Sequence, residues 1–194
     1  NEPQCFVGLG FLTGEHAPGV KVPLRDTFEM AHNAMKAHGR AVQMLRAYGK
    51  QKLMIGCAPT SSVCYPETDH PEDIEAARKA YFSLHEDDNE RYHKPIYITE
   101  NGLSCHDVIS LDGKVHDPNR IDFLARYLRE LRKAAEEADI RGYFQWSLMD
   151  NFEWAKGYSD RFGLVYVNYR NQERIMKDSA FWYKHVIETN GAEL

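Results

Sequence analysis

No apolar run in these 194 residues approaches the roughly 18 needed to cross a bilayer, which excludes a membrane-spanning helix. Positive charge is not in excess either. The net charge of −5 argues against nucleic acid or an anionic membrane surface as partner. Cysteine is scarce, with four residues, and the only close pair, Cys57 and Cys64, lacks zinc-type spacing. Free thiols in a reducing cytoplasm are therefore expected. Nine histidines are scattered without a His-x3-His or comparable ligand pattern, so neither metal nor cofactor is expected. Internal repeats, low-complexity tracts, an initiator Met and a signal-like leader are all missing. What remains is 43% hydrophobic and 12% aromatic, enough for a packed core in one domain or slightly more.

Hydrophobic periodicity sets the order of elements. Asp26 and Glu29 form a capping-box pattern at the head of a helix over 26–48, and Gly49 stands where a left-handed C-terminal residue is wanted. Lys52 to Ala58 predicts a short strand. Asp69-His70-Pro71-Glu72 opens a helix reaching about Ser83. Asp117 is an N-cap with Pro118 at the first helical position, and Ile121, Leu124, Leu128, Leu131 and Ala135 recur at helical spacing. Ile140 to Trp146 predicts a strand, Phe162–Val167 with Arg174-Ile175 a hairpin, and Asp178 begins a last helix with Trp182 and Tyr183 facing the core. Strand and helix in alternation predict a parallel sheet covered by helices.

The most informative run is Ile96-Tyr97-Ile98-Thr99-Glu100-Asn101-Gly102. A β-branched and aromatic strand ends on a carboxylate, and Asn-Gly turns the chain directly afterwards. Glu is a poor strand former, and the carboxyl end of a parallel strand is where such sheets do chemistry.

Together with Asn1-Glu2-Pro3 and with Gln145-Trp146-Ser147-Leu148-Met149-Asp150-Asn151-Phe152-Glu153-Trp154, this run resembles glycoside hydrolase family 1, the β-glucosidase family. Ala58-Pro59-Thr60 and Arg161-Phe162-Gly163 extend the resemblance through the chain. It implies an α/β fold of the (β/α)8 TIM-barrel type and a retaining β-glycosidase acting on a small-molecule β-glycoside, a glucoside or also a galactoside or fucoside. Retention needs two carboxyl groups about 5–5.5 Å apart, one attacking carbon while the other protonates the leaving oxygen. The resemblance implies Glu2, at the end of the fourth barrel strand, as acid/base, and Glu100, at the end of the seventh, as nucleophile. It implies Asn1 as donor to the sugar 2-hydroxyl, Trp146 as floor under the pyranose, and the pair Glu153-Trp154 as substrate-binding, its carboxylate accepting from the O4 and O6 hydroxyls. Phe162 would close the wall beside O6. The Glu-Trp pair favours an unphosphorylated sugar, because a carboxylate there would repel a phosphate.

The resemblance also shows what is missing. The first half of the barrel and the sixth-strand unit have no counterpart, so residues 1–194 read as one partial barrel domain whose non-contiguous segments join near 84–90. Either the barrel is reduced or split, or the sequence joins pieces of a longer enzyme. The competing reading is a non-catalytic half-barrel that self-associates, or pairs with a missing N-terminal half, to cover its open edges.

Overall fold

A computed structural model describes residues 1–60, 64, 66–84 and 94–194, and the chain divides into two units, Asn1–Glu86 and Asp87–Leu194. The expected segment junction near 84–90 falls outside the described residues apart from Leu84.

In the first unit, helix α1 (Pro3–Val7) runs into a π-helical turn, Gly8–Leu12, and helices α2 (Leu24–Tyr48) and α3 (Pro71–Leu84) follow. Helix α2 starts two residues before the expected position, after Pro23, whose carbonyl accepts from the Thr27 N–H at 3.1 Å. Asp26 therefore lies inside the first turn and no capping box forms. Gly49 is extended (φ −63°, ψ 131°), not left-handed. Glycine is required there for space, since a Cβ would sit 2.5 Å from the Leu45 carbonyl oxygen. Residues 52–58 form no strand. A strand persists only against a partner, and this segment is joined to Glu2 by one hydrogen bond, Glu2 N–H to Ala58 O at 2.7 Å. Asn1 and Glu2 likewise form no strand stump.

The second unit follows the expected order closely. Strand β1 (Ile96–Asn101), helix α4 (Pro118–Glu137) and strand β2 (Ile140–Gln145) make a parallel strand–helix–strand unit. Strands β3 (Val165–Val167) and β4 (Arg174–Met176) form the antiparallel hairpin, and α5 (Asp178–Glu188) closes the chain. Its core is Leu124 of α4, Leu164 and Ala180, packed by Phe123, Trp182 and Tyr183. Of the apolar stripe read on α4, Leu124 and Leu128 are buried and Ala135 is exposed. Phe181 points outward, 59% exposed, while its neighbours Trp182 and Tyr183 cover the core.

Candidate active site

The β1–β2 ladder carries two irregularities, one between Ile96 and Tyr97 and one between Ile98 and Asn101, and the second decides where Glu100 points. Ile98 pairs with Tyr143 and Asn101 with Gln145, so three steps along β1 match two along β2. One extra residue is accommodated between Ile98 and Asn101. Strict alternation would put Glu100 on the face of Ile96 and Ile98, which is half-buried. Instead Thr99 and Glu100 are both exposed, and Asn101 returns to the half-buried side. Bulges of this kind re-aim a side chain and recur beside active sites. Phe144 and Trp146 alternate with Tyr143 and Gln145, and they are the exposed pair, so Trp146 shares the open face with Glu100.

The ends of the two strands are held together tightly. The Trp146 N–H donates to the Asn101 carbonyl at 2.8 Å, and Tyr143 Oη donates to Asn101 Oδ1 at 2.8 Å. Gly102 follows, and a Cβ on it would lie 1.8 Å from the Trp146 carbonyl oxygen. The Asn-Gly pair thus answers to close backbone approach, with Gly102 outside the positive-φ glycines. The Trp146–Ser147 peptide bond is cis.

The segment after Trp146 lies alongside the one after Arg161. Ser147 N–H donates to Phe162 O (3.1 Å), and Leu164 N–H to Ser147 O (2.9 Å). Gln145 Nε2 donates to the carbonyls of Trp146 (2.6 Å) and Phe162 (3.4 Å), which leaves its buried Oε1 without a partner. Phe162 is half-buried. Glu153 precedes a single 3-10 turn, Trp154–Lys156, and its carboxylate lies 3.5 Å from Asn151 Nδ2. Trp154 is 68% exposed, with a positive φ of 45°. Trp146, Glu153, Trp154, Phe162 and Glu100 all belong to the second unit. Asn1 and Glu2 belong to the first, where Glu2 is the left-handed N-cap of α1 (φ 41°).

Beneath this surface is a buried ionic network whose pairing no sequence spacing marks. Asp150, buried, accepts from Lys177 Nζ (2.8 Å), Arg161 Nη1 (2.6 Å) and the N–H groups of Gly163 (3.0 Å) and Val167 (3.3 Å). Lys177 also reaches Asp107, and Arg120 joins Asp107 (2.8 Å), Asp117, Leu103 O (3.3 Å) and Arg161 O (2.7 Å). Asp117 stands at the N-cap of α4 with Pro118 next to it, as expected, and its carbonyl accepts from the Arg120 N–H at 3.0 Å; its carboxylate makes no capping bond and instead accepts from Ser179 N–H at 2.8 Å. Three cations, Arg120, Arg161 and Lys177, balance three carboxylates, Asp107, Asp117 and Asp150, and every one of these charges is paired. Burial opposes the Arg120 charge, but Asp107 and Asp117 outweigh it and hold the guanidinium above its ordinary range. Burial also pushes the Cys105 thiol up, where its backbone pairs with Arg161. One signal was available in sequence. Arg120 occupies the apolar stripe of α4, four and eight residues before Leu124 and Leu128.

Comparison with known proteins adds an independent line. The family model described as glycosyl hydrolase family 1 matches residues 1–87 and 88–192. Beta-glucosidase A of Thermotoga maritima is 32% identical over 283 aligned positions, covering 100% of this chain and 63% of that protein. The alignment is therefore longer than the 194 residues of this chain. A 6-phospho-beta-galactosidase of Staphylococcus epidermidis is 38% identical over 188 residues, covering 95% of this chain and 37% of the relative. The solved Thermotoga maritima β-glucosidase in complex with glucoimidazole superposes with a TM-score of 0.84 at 31% identity, covering 100% of this chain and 63% of that one. The chain thus spans under two thirds of the length of these relatives.

Proposed function

The chain belongs to glycosyl hydrolase family 1, with an α/β fold that is part of a (β/α)8 barrel, and from that premise we propose that it carries both catalytic carboxylates of a retaining β-glycosidase, Glu100 as nucleophile and Glu2 as acid/base. The observation that carries the reading is the second irregularity in β1, which turns Glu100 onto the open face shared with Trp146 at the carboxyl end of a parallel ladder. Glu100 attacks the anomeric carbon while Glu2 protonates the departing oxygen. The glycosyl-enzyme ester is then hydrolysed by water, with Glu2 as base. Asn1 binds the 2-hydroxyl, where a hydrogen bond strengthens in the transition state. The Trp146 indole offers an apolar face to the sugar C–H groups and an N–H donor. Glu153 and Trp154 take the distal hydroxyls, and Phe162 the wall beside O6. The substrate is a β-D-glucoside, with galactosides and fucosides as variants, and no metal or cofactor takes part.

Covalent trapping tests the nucleophile. An activated 2-deoxy-2-fluoro glucoside forms its ester faster than the ester breaks down, so the peptide containing Glu100 should gain the sugar's mass. Attachment to any other residue overturns the assignment. A second reading is favoured by apolar exposure on the open face, where Phe144 is 57% and Tyr97 41% exposed. It makes this chain a partial barrel, joined near 84–90, that self-associates or pairs with further barrel strands. Absence of trapping together with an associated species in sedimentation supports it. The four free cysteines fit a reducing compartment such as the cytoplasm, and no helix among the described residues is long and apolar enough to cross a membrane.

A further inference from the structure

Glu100 is turned outward by one extra residue in β1, and an extra residue needs something to hold it. Asn101, the next residue, is anchored twice. Its carbonyl accepts from the Trp146 N–H, and its side-chain oxygen accepts from Tyr143 Oη, both at 2.8 Å. Tyr143 projects from β2 on the half-buried face, where it pairs in register with Ile98, the last paired position of β1 before the extra residue. The two residues that bracket the extra residue, Ile98 and Asn101, are therefore both tied to Tyr143, one by the ladder and one by the side chain.

We propose that Tyr143 is a positioning residue for Glu100, fixing through Asn101 the backbone irregularity that presents the Glu100 carboxylate on the open face. The proposal rests on the reading of Glu100 as nucleophile for its functional meaning, though not for its geometry. Without the hydroxyl, Asn101 keeps its backbone bond to Trp146 but its side chain is free to leave the half-buried face. The ladder can then relax toward regular alternation, which carries Glu100 toward the face of Ile96 and Ile98. Burial of the Tyr143 ring raises its phenol well above the ordinary range, so the hydroxyl keeps its proton and acts as a donor throughout the working pH range.

The test compares wild-type chain with Tyr143→Phe by carbodiimide coupling of carboxylates to an amine, read peptide by peptide in a mass spectrometer. Coupling at Glu100 should fall roughly two- to tenfold, the range a single neutral hydrogen bond sets. Coupling at Asp122 and Glu130, exposed on α4, should not change. Asn101→Leu should reproduce the loss, and Asn101→Asp, which keeps an acceptor for the Tyr143 hydroxyl, should restore coupling at Glu100. A role limited to packing would lower the melting temperature and leave the ratio between Glu100 and Asp122 unmoved. Equal Glu100 coupling in wild type and Tyr143→Phe overturns the proposal. If Tyr143→Phe does not fold, the contrast between Asn101→Asp and Asn101→Leu decides. Fluorosugar attached to another residue would remove Glu100 as nucleophile yet leave this coupling result standing, so the two failures are separable.

Discussion

Two carboxylates in the proposed chemistry do different work, and removal distinguishes them. Glu2→Ala should still cleave aryl glycosides whose phenol departs unprotonated, with azide or formate accelerating the slow second step. Glu100→Ala should show no such rescue with retained anomeric configuration, as read by NMR of the product. Glu153→Ser tests the distal hydroxyls. Each charge-assisted hydrogen bond lost is worth roughly 1.5–3 kcal/mol, so kcat/KM on an unphosphorylated glucoside should drop about 10- to 100-fold. Because one relative is a 6-phospho-beta-galactosidase, the same variant should be tried on a 6-phosphorylated substrate, where loss of the carboxylate should help. His116 supplies a pH probe outside the site. Its two ring nitrogens face Asp178 at 2.6 Å and Asp112 at 3.1 Å, and these bonds, Asp178 first, raise its pKa above the ordinary 6.5. A raised folded-state value means that its contribution to stability is complete below 6.5 and is lost as pH rises through the higher folded value. The His116 ring protons should titrate above 6.5 by NMR, and a midpoint at or below it would contradict these contacts.

At the scale of elements, the site loops depend on close backbone approaches and on buried charge. At Gly102 and Gly163 an added Cβ would stand 1.8 Å and 2.2 Å from backbone atoms of Trp146 and Asp150. Backbone cannot yield as a flexible side chain does, so Gly102→Ala should cost at least the 1–3 kcal/mol typical of overpacking, read as a lowered urea midpoint. Asp150→Ala should cost more. It leaves Arg161 without its carboxylate and Lys177 with Asp107 alone, and an unpaired buried charge costs about 3–5 kcal/mol. A double change of Asp150 and Lys177 to apolar residues of similar volume should recover part of that loss. A single change as mild as a surface substitution would show that the network is not what fixes these loops.

Across the whole molecule, apolar side chains outnumber the places to bury them. In the first unit Val7 is a buried hydrophobe, whereas Leu24, Phe28, Met35, Met44, Leu45 and Tyr48 of α2 are all between 48% and 76% exposed. In the second unit the open face of the β1–β2 ladder exposes Tyr97 and Phe144. Covering an exposed Leu, Phe or Met is worth about 1.5–3 kcal/mol, so a few such residues rival the stability of a small domain. A chain of these 194 residues alone is expected to associate or to bind an apolar dye, and to hydrolyse aryl glucosides poorly. Sedimentation as a rigid 22.4 kDa monomer with sharp amide dispersion would contradict that expectation.

Periodicity and punctuation in the sequence determined the helices α3, α4 and α5, the strands β1 and β2 and the hairpin, while the motifs around Glu2, Glu100 and Glu153 carried the resemblance to the family. Each is encoded by contiguous residues whose spacing is set by the backbone: Leu124 and Leu128 one turn apart, Pro118 at a helix start, Glu100 before Asn-Gly. The sequence misled where an element needs a distant partner. Lys52 to Ala58 has strand composition but no ladder, whereas Asp117 is the N-cap its position announced, with a carboxylate turned to Arg120 and Ser179. Tertiary structure alone decided the face on which Glu100 stands, because one extra residue in a ladder reverses the parity that alternation predicts. It alone decided the pairing of Asp150 with Lys177 and Arg161, since charge attraction acts through space and leaves no period along the chain.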